Sequence, residues 1–178
     1  MTKILFLDID GPMIPGRAYK LPNQTKPFVM TFDPVAVSII NNVCQQEGYQ
    51  IILHSSWVRI YGGQETYDHC ITQGLKPESF HEDKWTGENE NWRYNRVAHW
   101  LADHPEVTDY IILDDEPYEP DRSLDPINHP KDMEDHLMLI DFDDGLLMTH
   151  WRRMLNNEFV RATRVMDPET GLSEDTFQ

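Results

Sequence analysis

Three short apolar runs punctuate the chain, and each ends abruptly in polar residues. Ile4 to Leu7 runs into Asp8-Ile9-Asp10-Gly11, "YQIIL" from Tyr49 to Leu53 into His54-Ser55-Ser56, and "YIIL" from Tyr110 to Leu113 into Asp114-Asp115. Short, continuously apolar runs bounded by turn residues predict strands buried on both faces. Leu137 to Phe142, "LMLIDF", predicts a fourth strand.

Helices are expected between them. Asp33 is placed to cap a helix with Pro34 at its first position, running to Glu47 and stopped by Gly48. A second helical stretch is predicted over 57–75, interrupted at Gly62-Gly63. A third covers "WRYNRVAHWLADH", with Val97, Trp100 and Leu101 on one face, and a last one runs from 145 to about 160. Residues 12–32 hold four prolines and read as a loop or small hairpin flap, 76–91 as polar and irregular, and 116–135 as an acidic loop. The expected domain is 1–162, followed by a polar tail over 163–178.

Strands alternating with helices predict a Rossmann-like α/β fold, a parallel sheet sandwiched by helices. Ligands of such sheets bind beyond the carboxyl ends of the strands. The acids and serines fall at those ends, so the carboxylates crown the core instead of entering it.

Composition narrows the chemistry. The 178 residues carry a formal net charge of -16, a field that disfavours extended nucleic acid as a partner but not a small anionic substrate beside a bound cation. No run of about 18 apolar residues and no basic-then-apolar leader is present, so neither a membrane span nor a secretory signal is expected. Two cysteines without a CxxC motif read as reduced thiols of a cytoplasmic protein, with a single disulfide as the alternative.

Asp8, Asp10, Asp114 and Asp115 gathered at one edge would repel one another unless a cation screened them, and an oxygen-rich cluster of this kind suits Mg²⁺ beside a substrate phosphate. A carboxylate held there can attack phosphorus, and a second acid can protonate the leaving oxygen and then activate water. Ser55 or Ser56 could bond a phosphoryl oxygen. Gly11 would let the backbone turn and bring its N–H towards the anion. His54 would either line the phosphate pocket or pack as a hydrogen-bonded core histidine. Trp85, beside Lys84, is the tryptophan placed to stack on a base.

The same segments, taken in order, resemble a known family. "FLDIDG" resembles the first motif, hhhDxDG, of the haloacid dehalogenase (HAD) superfamily, most of whose members are Mg²⁺-dependent phosphatases. "IILHSSW" resembles the second motif and "YIILDDE" the fourth, with "RYNRVAHWL" nearest to the basic third and "DFDDGLL" similar to the segment after the fourth. The resemblance implies Asp8 as nucleophile, Asp10 as general acid/base, Ser55 as the phosphate-binding hydroxyl with Ser56 as alternative, and Arg93 as the cation with Lys84 or Arg96 as alternatives. It implies Mg²⁺ held by Asp8, the Asp10 backbone carbonyl and Asp114 or Asp115, and a phosphorylated substrate such as a phosphate ester, a nucleotide or a phosphorylated terminus. The intervals between the motifs leave room for a minimal cap or none. A phosphotransferase, or a binding module without catalysis, remains the alternative. "SSWVR" also resembles the SSxWR pattern of small HAD proteins associated with RNA repair operons, with Val58 standing between Trp57 and Arg59.

Overall fold

The structure is a computed structural model and describes residues 2–20, 30–87, 93–118, 130 and 132–156, the side chains of Arg93 and Thr108 excepted. The 163–178 tail expected from the sequence and most of the 116–135 loop lie outside the described residues.

A five-stranded sheet forms the middle of the fold, in the order β3-β2-β1-β4-β5. Its strands are β1 (Thr2–Leu7), β2 (Tyr49–Leu53), β3 (Phe80–Trp85), β4 (Val107–Asp114) and β5 (Leu137–Leu139). All pairings are parallel. The helices are α1 (Pro34–Glu47), α2 (Ser56–Tyr61), α3 (Gly63–Thr72), α4 (Arg93–Asp103) and α5 (Met148–Leu155).

Alternation along the strands builds two cores. Leu5 and Leu7 of β1, Ile51 and Leu53 of β2, and Ile111 and Leu113 of β4 face Ile39, Ile40 and Val43 of α1, together with Trp57 of α2 and Cys70 of α3. Their neighbours Ile4, Phe6, Ile52, Tyr110 and Ile112 face Tyr94, Val97, Trp100 and Leu101 of α4. Each fully buried aliphatic side chain contributes about 1.5–3 kcal/mol of hydrophobic stabilisation, so the central strand, buried on both faces, anchors the sheet.

The helix boundaries follow local chemistry. Asp33 accepts the Val35 N–H at 2.8 Å and Pro34 opens α1, while Gly48, at φ 75°, returns its N–H to the Cys44 carbonyl at 3.0 Å. The interruption at Gly62-Gly63 separates α2 from α3.

Two expectations need correction. Residues 76–91 are not irregular throughout, because "FHEDKW" forms β3 on the sheet edge, where charged residues are tolerated on a strand. Its register against β2 is broken, pairing Ile51 with Phe80 and Leu53 with Trp85, and Lys84 sits at φ 61°. The fourth predicted strand is also shorter than expected. It stops at Leu139, since Asp141 then turns the chain by accepting the N–H groups of Asp143 and Asp144 at 2.9 and 3.0 Å.

Residues 12–20 and 30–32 are the described parts of the flap. Met13 and Ile14 are buried and both return their N–H groups to the Ile9 carbonyl, and a 3₁₀ turn follows over Gly16–Lys20. Among the described residues no helix is long and apolar enough to cross a membrane.

Candidate active site

Leu7 pairs with Leu53 on one side and Leu113 on the other, so the three central strands end at one level. The ladder continues one step further. His54 donates its backbone N–H to the Leu7 carbonyl at 3.2 Å, and Asp8 donates its own to Leu113 at 3.0 Å. Asp8 and His54 therefore stand one residue beyond β1 and β2, beside Asp114 at the last position of β4, and all three are buried.

Carboxylate oxygens of Asp8, Asp114 and Asp115 lie within 4.8 Å of one another. Neighbouring amides fix two of these side chains: Asp8 Oδ1 accepts from Ile9 at 2.8 Å, and Asp114 Oδ1 from Glu116 at 2.9 Å. Three hard oxygen donors, two of them buried, fit Mg²⁺ or a similar divalent cation better than a thiophilic metal. The donor set thus fits a divalent cation.

The carboxylate of Asp10 stands outside that cluster and is held differently. Trp57 donates its indole N–H to Asp10 Oδ2 at 2.9 Å, and the Tyr19 hydroxyl donates to Oδ1. Trp57 is itself fixed, buried against Tyr61 with ring centroids 5.5 Å apart and against His69 at 5.6 Å. Burial, the bond to Asp10 and the charges of Asp10, Asp8 and Asp115 push the Tyr19 phenol well above its ordinary pKa, so it remains a proton donor at neutral pH. Neither Trp57 nor Tyr19 was expected to touch Asp10. The "SSW" triplet was the available signal for the first, and the sequence held none for the second.

Ser55 is buried and caps α2, its Oγ accepting the Trp57 N–H at 3.3 Å, which leaves the hydroxyl proton to be donated. Ser56 is half-buried in the first turn of α2. Aligned on the two serines, Arg59 keeps the place of the pattern's arginine and Trp57 stands one position early, with Val58 in the pattern's tryptophan position; Trp57 reaches Asp10, while Arg59 is exposed.

Gly11 makes the expected sharp turn at φ 78°, but its N–H donates to the Ile14 carbonyl at 3.0 Å. That corrects the expectation of an amide aimed at an anion, because closing the turn uses the donor. His54 behaves as the packed alternative. It is buried edge-on against Phe6, with Nε2 3.4 Å from the Leu113 carbonyl and 3.8 Å from Asp114 Oδ2.

The three candidate cations separate. Arg93 opens α4, and its side chain lies outside the described residues. Lys84 places its Nζ 4.7 Å over the Tyr67 ring on α3. Arg96 is 3% exposed and donates from a terminal nitrogen to the His54 carbonyl at 2.6 Å. It is a buried guanidinium bonded to the residue that follows β2, at the end of the sheet where the acids lie. Trp85 is not a free stacking surface, since its ring lies so close against Gly63 that a Cβ there would collide with it.

No curated protein and no solved structure matches the chain. A family model for the HAD domain in Swiss Army Knife RNA repair proteins matches residues 4–151, from β1 into α5, and the chain belongs to that family of the haloacid dehalogenase superfamily.

Proposed function

We propose that this chain is a Mg²⁺-dependent phosphomonoester hydrolase working through an aspartyl-phosphate on Asp8. HAD domains carry out hydrolase or phosphotransferase chemistry. The observation that carries the finer reading is the division of the acids: Asp8, Asp114 and Asp115 cluster within 4.8 Å, while Asp10 is held apart by Trp57 and Tyr19.

The division assigns the roles. Asp8, Asp114 and Asp115 would hold Mg²⁺, whose charge when bound offsets that of the phosphoryl oxygens. A carboxylate oxygen of Asp8 attacks phosphorus, the bond to the leaving oxygen breaks, and Asp10 gives that oxygen its proton. Asp10, now a carboxylate, takes a proton from water. The resulting hydroxide attacks phosphorus, the bond to Asp8 breaks, and inorganic phosphate leaves with both aspartates restored. Ser55 donates its hydroxyl proton to a phosphoryl oxygen, and Arg96 supplies the balancing positive charge.

The RNA repair family supports a phosphate monoester at an RNA end as the substrate. The net charge of -16 favours a grip on the terminus over one along the strand. The two buried free thiols, Cys44 and Cys70, fit a reducing compartment and with it a cytoplasmic enzyme.

Phosphate release from 3′- and 5′-phosphorylated oligoribonucleotides, with and without Mg²⁺, tests the reading. Turnover that needs Mg²⁺ and disappears in Asp8→Asn is the expected result. Persistent turnover in Asp8→Asn would overturn the nucleophile. Transfer of phosphate to an added alcohol in preference to water would make the protein a phosphotransferase. Metal binding without turnover on any phosphate ester would leave a binding module.

A further inference from the structure

We propose that the stacked pair Tyr19–Phe142 is a shelf for the base of the nucleoside that carries the scissile phosphate. The proposal rests on the reading of Asp10 as the acid that protonates the leaving oxygen.

Tyr19 lies on the flap after β1 and Phe142 on the loop after β5, with ring centroids 6.0 Å apart and planes at 28°. Both are exposed, at 44% and 42%, where large aromatics in this fold otherwise lie mostly in the core. They are also held in place. Gly16 donates its N–H to the Phe142 carbonyl at 2.6 Å, and a Cβ on Gly16 would come within 2.6 Å of the Phe142 ring, so the flap lies flat against it.

One end of the pair is fixed to the chemistry, because the Tyr19 hydroxyl bonds the Asp10 carboxylate. The exposed aromatic surface therefore begins one hydrogen bond from the group that would meet the leaving oxygen. In a nucleoside phosphate that oxygen belongs to the sugar, and the base lies one sugar away. Rigid aromatics at that distance suit a base face, and stacking tolerates any base identity.

Charge restricts the strand beyond the first nucleoside. Asp141, Asp143 and Asp144 are exposed beside Phe142 and oppose a long phosphate backbone. Two exposed cations of the flap turn offset part of that charge: Lys20 has its Nζ 3.7 Å from Asp143, and Arg17 donates to the Asp143 and Asp144 carbonyls while pairing with Asp33.

The test compares kcat/KM for adenosine 3′- and 5′-monophosphate with that for ribose 5-phosphate, in the wild type, Phe142→Ala and Phe142→Trp. Stacking of one base predicts a wild-type preference for the nucleotides of about tenfold or more, lost in Phe142→Ala and regained in Phe142→Trp. An unchanged ratio in Phe142→Ala, or no preference in the wild type, overturns the shelf. Binding of adenosine 5′-monophosphate against ribose 5-phosphate to Asp8→Asn, followed by NMR line broadening, separates the two proposals. Base-dependent binding without wild-type turnover keeps the shelf and removes the hydrolase, whereas turnover without base dependence does the reverse. A 3′-phosphorylated oligoribonucleotide completes the comparison: faster turnover than of the mononucleotide assigns the shelf to strand ends, and slower turnover assigns it to free nucleotides.

Discussion

Gly11 lies directly against Asp115: a Cβ at residue 11 would stand 2.5 Å from the Asp115 Cβ and 2.7 Å from its Cγ. The turn after β1 is thus pressed onto the acid that follows β4, and the contact sets where both carboxylate-bearing ends lie. Gly11 also holds φ at 78°, a conformation that costs a side-chain-bearing residue of order 1–3 kcal/mol. Gly11→Ala should therefore lower stability by about that amount and reduce Mg²⁺-dependent hydrolysis at least tenfold, measured by denaturant midpoint and phosphate release. An active Gly11→Ala protein of wild-type stability would show that the contact relaxes freely.

Trp57 should act on the reaction through Asp10. Trp57→Phe keeps an aromatic ring between Tyr61 and His69 but removes the N–H that Asp10 accepts. General acid–base catalysis contributes about 10²–10⁴-fold, so a poorly aimed acid should lower kcat by at least tenfold with little change in KM. The loss should shrink on an aryl phosphate, whose leaving group needs less protonation. Equal losses on alkyl and aryl esters would point to a structural role alone.

A divalent cation should stabilise the fold. Asp8 and Asp114 come from adjacent strands, so their repulsion acts across the β1–β4 ladder until a positive charge enters. Saturating Mg²⁺ at about 100 times its Kd adds roughly 2.7 kcal/mol, read as a rise in Tm that EDTA reverses. Asp114→Asn should lose that response while its metal-free form melts no lower than the wild type.

Acid should weaken the fold through two histidines. Burial lowers the pKa of His69, and burial with the nearby Arg153 lowers that of His150. His150 Nδ1 also accepts the Leu147 N–H at 2.9 Å, which a protonated ring could not do. The unfolded chain binds these protons more readily than the folded one, so stability rises with pH. It is present above the ordinary histidine pKa near 6.5 and lost as pH falls below it. Tm should drop between pH 7.5 and 5.5, and by less in His69→Gln/His150→Gln.

The sheet's interior was legible because its strands are unbroken apolar runs, and α1 because Asp33, Pro34 and Gly48 each mark a boundary by local chemistry. β3 was not, since an edge strand reading "FHEDKW" meets water and one neighbour and has no apolar run to display. The acids were visible at their strand ends, and the resemblance implied Asp10 as the acid/base beside a metal held by the other carboxylates, but what divides its carboxylate from theirs was not. That division comes from Trp57 and Tyr19, which approach Asp10 from two different segments. The choice among Arg93, Lys84 and Arg96 depends on which side of α4 meets the sheet and on how β3 docks, neither of which a basic residue announces in sequence.

The flap ties a central strand to a rim. Leaving β1, it is moored to Phe142 through Gly16 and to the turn before α5 through Pro12, whose carbonyl accepts the Leu146 N–H at 3.3 Å. Over its described residues the flap is a local latch closed by backbone hydrogen bonds, a feature that favours admission and escape of substrate without a slow rigid-body step. Turnover in such a molecule should depend on solvent viscosity weakly, with the bond-breaking events setting its pace.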